Sequence, residues 1–106
     1  MIRQGDVLVI AIEKLPASCT PVEPENGRLI LARGEATGHH HSIAMSDRVA
    51  MFREDGSGGG LFLTVGSGAL VSLEHQEHSA LALAPGKYAV RIQRTYQAGM
   101  AHRVSD

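Results

Sequence analysis

With 106 residues, 43% of them apolar and 20% charged, the chain has the size of one domain and the make-up of a globular protein, which excludes two domains and a wholly disordered chain. A net charge of −1 argues against strong non-specific attraction to nucleic acid, and the single cysteine, Cys19, excludes an intramolecular disulfide framework or a thiolate zinc cluster. The longest apolar run, Val7 to Ile12, is far too short to cross a bilayer, and Asp6 and Glu13 bracket it too closely for a secretory signal, so the expected setting is cytoplasmic.

Twelve glycines and four prolines are spread along the chain and leave few windows for a helix. Only a turn near Ile12–Ala17 has helical character, and Pro16 limits it. Asp6–Glu13 reads as a strand that is apolar on both faces, as if covered on both sides. Pro16 and Pro21 flank a loop containing Cys19. Glu25-Asn26-Gly27-Arg28 centres on Asn-Gly, a strong hairpin signal because both residues tolerate positive φ, and Arg28–Arg33 is the returning strand. Thr37–Met45 alternates, with Ile43 and Met45 on the parity of His39 and His41. Arg48–Arg53 is a further strand, followed by a glycine-rich loop through Gly60. Leu61–Val65 and Ala69–His75 are strands separated by Gly66-Ser67-Gly68. Leu81 and Leu83 lead into the turn Pro85-Gly86. Tyr88–Tyr96 alternates, with Tyr88, Val90 and Ile92 on one face and Ala89, Arg91 and Gln93 on the other. The reading places one domain over residues 1–98 and a loose tail over 99–106. Seven to nine short strands at about ten-residue spacing predict an all-β fold, a small antiparallel barrel or sandwich.

Five of the six histidines fall in two short clusters. In Gly38-His39-His40-His41-Ser42, alternation along a strand puts His39 and His41 on one face and His40 on the other. Ile43 and Met45 continue the His39/His41 face, which marks it as the inner one. Paired imidazoles there are a bidentate start for a metal site, since neutral imidazole is the commonest protein ligand for zinc, iron, nickel and copper. In Glu74-His75-Gln76-Glu77-His78, His75 shares parity with Val71 and Leu73 and is expected to face inward. His78 follows a turn and could point back over the strand end. One of these two would join His39 and His41, and Glu74 and Glu77 are candidates for a carboxylate ligand, a supporting partner or a base. Three histidines with an open position would make a catalytic-type centre for zinc, iron or nickel. The alternative is a polar rim in which these histidines are merely solvated or hydrogen-bonded.

The pattern His39-x-His41 after a glycine-rich approach, with a later histidine and a Pro-Gly turn in an all-β chain, resembles the cupins. That resemblance implies a β-barrel whose interior holds a metal on two histidines one residue apart, a glutamate and a later histidine. The chain departs from the pattern in three places. Gly34 stands one residue too close to His39. Asp47, not a glutamate, is the nearest acid after His41. Pro85-Gly86 follows His78 instead of preceding it. A wider set of residues, Arg3-Gln4-Gly5-Asp6-Val7-Leu8, Gly34-Glu35-x-Thr37-Gly38-His39, Glu77-His78 and Pro85-Gly86-x-Tyr88, is also similar to a group of short bacterial proteins and implies no activity.

A second reading, of a different class, is a non-enzymatic binding or assembly module. It would be a homo-oligomer joined through edge strands. Its basic carboxy-terminal third, Lys87, Arg91 and Arg94 interleaved with Tyr88 and Tyr96, could contact single-stranded nucleic acid. This reading ranks below the metal site, because a few basic groups on one strand usually form a solvated face.

Overall fold

The computed structural model describes residues 1–34, 38–56, 58–97 and 100–103. Residues 35–37, part of the glycine-to-histidine approach, lie outside the described residues, as does Ser57 in the glycine-rich loop. Among the described residues there is no helix, including at Ile12–Ala17, and hence none long and apolar enough to cross a membrane.

The described residues form twelve strands: β1 (Ile2–Gln4), β2 (Val7–Ile12), β3 (Cys19–Pro21), β4 (Arg28–Arg33), β5 (His40–Ala44), β6 (Val49–Glu54), β7 (Leu61–Val65), β8 (Val71–Glu74), β9 (Leu81–Leu83), β10 (Gly86–Ile92), β11 (Arg94–Gln97) and β12 (Met100–Arg103). A six-stranded sheet runs β1-β2-β10-β7-β6-β3 and a four-stranded sheet runs β4-β5-β8-β9. The segment expected as a loose tail contributes β12, which pairs with β11 as a separate ribbon. All named pairings are antiparallel.

The all-β expectation therefore holds in its sandwich form. A closed cupin-like barrel is not formed: the large sheet ends on β1 and β3 and the small one on β4 and β9, so each keeps two edges. One core lies between the sheets. Val7, Val9, Met51, Leu63 and Val90 come from the large sheet, and Leu29, Ile43, Val71, Leu73 and Leu83 from the small one. Leu63 and Leu73 are both fully buried, and each such side chain contributes about 2–3 kcal/mol of transfer free energy.

β2 is not covered on both sides. Val7 and Val9 are buried, whereas Leu8, Ile10 and Ile12 are only half-buried and Ala11 is exposed. The Asn-Gly turn is as expected: Asn26 and Gly27 have φ of 50° and 76°, the signs a type I′ turn requires. Glu25 and Arg28 exchange backbone bonds of 2.7 and 2.9 Å across it. Met45 departs from the inner face because β5 ends at Ala44. Met45 lies 57% exposed, its N–H donating to the Gly27 carbonyl.

Candidate functional site at the end of the sandwich

Register brings the two histidine clusters together. β5 and β8 pair with Ser42 opposite Glu74 and Ile43 opposite Leu73. Continued past the ladder, that register sets His41 opposite His75, His40 opposite Gln76 and His39 opposite Glu77. Side-chain contacts follow it. The His41 and His75 ring centres lie 4.3 Å apart, the His40 N–H donates to Gln76 Oε1 at 2.9 Å, and His39 Nε2 stands 3.3 Å from Glu77 Oε1. His78 completes the group, its ring 4.6 Å from His75 and 6.0 Å from His41. His39 reaches His75 edge-on at 5.5 Å.

Opposite His41 on β4 is Ala32, just after a bulge that inserts Leu31 between Ile30 and Ala32. A bulge next to a polar cluster re-aims the strand locally. Here Leu31 and Ala32 are both buried, and the small Ala32 leaves room for the imidazole.

His41 is fully buried, with two partners absent from the sequence-based candidates. Gln4, at the end of β1, is 3% exposed and crosses from the large sheet to the small one. Its Nε2 donates to the carbonyls of Leu73 and Ser79, each at 2.9 Å. With both amide hydrogens used, its Oε1 faces His41 Nδ1 at 2.9 Å. Nδ1 must then carry the proton, and in the neutral ring Nε2 presents its lone pair. That nitrogen looks toward Asp6, also fully buried, whose Oδ1 is 3.5 Å from Nε2. Gly5 and Asp6 form the two-residue loop between β1 and β2, with Gly5 at φ 58°. Gly at the first loop position suits a type II′ turn. The sequence signal for this pair was two polar residues flanking a glycine beside a deeply apolar run.

The other candidates are placed as follows. Glu77 stands beside His39 at the rim, 68% exposed. Its backbone N–H donates to His75 Nδ1 at 3.0 Å. Glu74 lies on the opposite face of β8, where its carboxylate meets Arg28 at 2.5 Å and Arg28 Nε donates to Ser42 Oγ at 2.7 Å. Lys87 and Arg91 are exposed on β10, and the side chains of Arg94 and Tyr96 lie outside those described. Tyr88 is 8% exposed and its hydroxyl donates to the Ala84 carbonyl at 2.5 Å. It is a core residue and not a stacking platform for bases.

Among the described residues, no three His, Cys, Asp or Glu side chains already stand as a metal-holding group. Yet two imidazoles on one tetrahedral ion, each about 2.0–2.1 Å away through nitrogen, place their ring centres about 5 Å apart. Four pairs among these rings have centres 4.3–6.0 Å apart. Convergence on one ion would require these rings to rotate. His39, His75 and His78 are all half-buried. His75 has the largest adjustment, because its Nδ1 now accepts the Glu77 amide. Turning it returns that amide to solvent at a net cost of about 1 kcal/mol.

Neither the curated proteins nor the solved structures contain a match to this chain. The model of one family, described as a domain of unknown function, DUF8820, matches residues 3–93, and the chain belongs to that family.

Proposed function

We propose that this protein holds a divalent metal ion, zinc, iron or nickel, at the end of the sandwich where the two sheets meet. His41 is the anchoring ligand, His75 joins it from the neighbouring strand, and His39 or His78 supplies a third imidazole. The observation that carries this reading is the hydrogen bond that holds buried His41 to Gln4. A buried imidazole whose Nδ1 proton is held by Gln4 Oε1 has the arrangement that ligating histidines use, one nitrogen anchored and the other presenting its lone pair. Beside that ring stand the half-exposed imidazoles of His75 and His78, with ring centres 4.3 and 6.0 Å away, and His39 adjoins His75 at 5.5 Å.

The chemistry such a site supplies follows from its ligand count. Three protein ligands on a first-row ion leave at least one position for water or an oxygen-donor ligand. The chain's own residues would fix the ion's position through Gln4 and His41 and leave Glu77, at the exposed rim, to accept a proton from bound water.

Elemental analysis of protein made without a histidine tag tests the reading. The expected result is about one zinc, iron or nickel per chain, retained through gel filtration and removed by a chelator. Protein that neither retains metal nor takes it up on addition would reject it.

A further inference from the structure

We propose that the outer face of the six-stranded sheet is the self-complementary interface of a homodimer. It uses none of the residues of the metal reading above.

Strand alternation divides the large sheet into two faces. Val9, Met51, Leu63 and Val90 belong to the core, so their neighbours Ile10, Phe52, Phe62 and Ala89 face away from it. Pairing sets these four in one row across the sheet: Ile10 opposite Ala89, Ala89 opposite Phe62, and Phe62 opposite Phe52. Both phenylalanines of the chain stand in this row. A second row beside it runs from Arg3 through Leu8 to Arg91. It continues to Gly60 and Glu54, which are joined by the bond from the Glu54 N–H to the Gly60 carbonyl.

The centre of this face is already sheltered within one chain. Ala89 is 2% exposed and Phe62 7%. A Cβ at Gly60 would meet the Phe62 ring at 3.4 Å and Arg91 Nη1 at 3.6 Å, so the arginine side chain lies along the ring and shields it. Leu8 and Ile10 on β2 and Phe52 on β6 are only half-buried. The apolar surface left to cover is therefore on the two strands that flank the centre. A continuous apolar face with aromatic residues in it and charges at its rim has the make-up of a protein interface.

The arrangement of that face selects a second copy as its occupant. A two-fold axis parallel to the strands, above the seam between β10 and β7, stacks two large sheets in the aligned packing of sandwiches. The sheet order then puts β2 over β6 of the partner and β10 over β7. Ile10 meets the partner subunit's Phe52, and the small Ala89 meets the partner subunit's Phe62, each contact occurring twice. Charges match under the same operation. The partner subunit's Glu54 comes over Leu8, between Arg3 and Arg91. All three charged side chains are exposed, and Arg3 is held on this face by a hydrogen bond from its guanidinium to Gln93 Oε1. Glu54 in the same row as the two arginines would repel the phosphates of a single-stranded nucleic acid, whereas a copy of the chain places that carboxylate against cations.

Sedimentation equilibrium of the tag-free protein tests this, in chelator so that no ion bridges two chains, and with folding checked by circular dichroism. The parent is expected to dimerise as its concentration rises from low to high micromolar. Phe52→Asp and Ile10→Asp, the two sides of one contact, are each expected to weaken association at least tenfold, the scale of a lost anchor. Leu70→Asp, at a fully exposed leucine preceding β8 on the small sheet, is expected to leave association unchanged. Glu54→Arg is expected to weaken it, and the exchange of all three charges, Arg3→Glu, Arg91→Glu and Glu54→Arg together, to restore it to within about threefold of the parent. A parent that stays monomeric overturns the proposal, and one that stays monomeric yet binds a deoxythymidine oligomer assigns the face to nucleic acid instead. A dimer that Phe52→Asp leaves intact, or that Leu70→Asp breaks, overturns it as well. Should the two aspartate variants of the apolar row fail to fold, the exposed charges carry the test: a triple exchange that associates no better than Glu54→Arg alone overturns the assignment.

Discussion

Replacing Gln4 by leucine removes a side chain that bridges the two sheets through hydrogen bonds at the histidine end. The volume is nearly kept, so the effect reads the polar contacts rather than a cavity. Three bonds of 2.9 Å disappear. The Ser79 carbonyl belongs to an exposed residue and recovers water. The Leu73 carbonyl and the His41 Nδ1–H belong to fully buried residues and do not. Each buried group left without its bond costs about 1–3 kcal/mol, so the variant should lose about 2–6 kcal/mol, a large share of the roughly 5–15 kcal/mol that holds a domain folded. At about 4–6 °C per kcal/mol for a chain of this size, the melting temperature should fall by about 8–36 °C. Gln4→Glu is a sharper control. It can still accept from His41, but it has no hydrogens for Leu73 and Ser79 and sets a negative charge against two carbonyl oxygens, so it should be at least as damaging. Urea titration followed by circular dichroism measures both. A Gln4→Leu protein within about 0.5 kcal/mol of the parent would refute the bridging role, and with it the argument that fixes the His41 tautomer.

Three further outcomes follow from the same geometry. Far-ultraviolet circular dichroism should show helix below about 15%, against about a third for an average globular protein, and a helix-dominated spectrum would contradict the sandwich. Gly27→Ala forces a Cβ into the left-handed conformation of the type I′ turn, where φ is 76°, and should cost about 1–2 kcal/mol in a urea titration; a neutral result would show that the turn relaxes. Protons compete with a metal for imidazole nitrogen, so metal affinity should fall as pH drops through the ordinary imidazole range, about pH 6.5 and below, and recover on return to neutral pH. Affinity that is flat from pH 7.5 to about 5.5 in a chelator competition would rule out imidazole ligands.

Much of the sheet architecture was legible because it rests on short-range rules. The bounds of β4 and β7 are those the sequence predicts, since turn residues mark both ends. Asn26-Gly27 takes the predicted turn because few other dipeptides accept positive φ twice in succession. Alternation placed His41 inward with Ile43, and both are buried. What local pattern could not supply is register between strands far apart in sequence. Ile43 opposite Leu73 is what sets His41 beside His75, and nothing within either segment encodes it. The same limit hid Gln4 and Asp6. Their role depends on β1 lying where Gln4 can reach the Leu73 carbonyl, a contact across 69 residues of chain. β2 misled for a different reason: an all-apolar run reads as doubly covered, yet Leu8, Ile10 and Ile12 lie on an outer face that the described residues cover only in part. Glu74 shows that parity works against proximity, since it adjoins His75 in sequence but projects to the far side of β8 and pairs with Arg28.

The central claim is that one face of β5, and not the other, presents a metal ligand. Titration calorimetry of zinc into tag-free parent, His41→Ala and His40→Ala measures this directly. The parent should bind one zinc per chain, and binding to the folded state should raise its melting temperature. His41→Ala should bind at least tenfold more weakly, because even lost supporting contacts reach that scale, while His40→Ala, whose side chain lies on the other face, should match the parent. Equal binding by all three proteins, or none by the parent, would contradict the account.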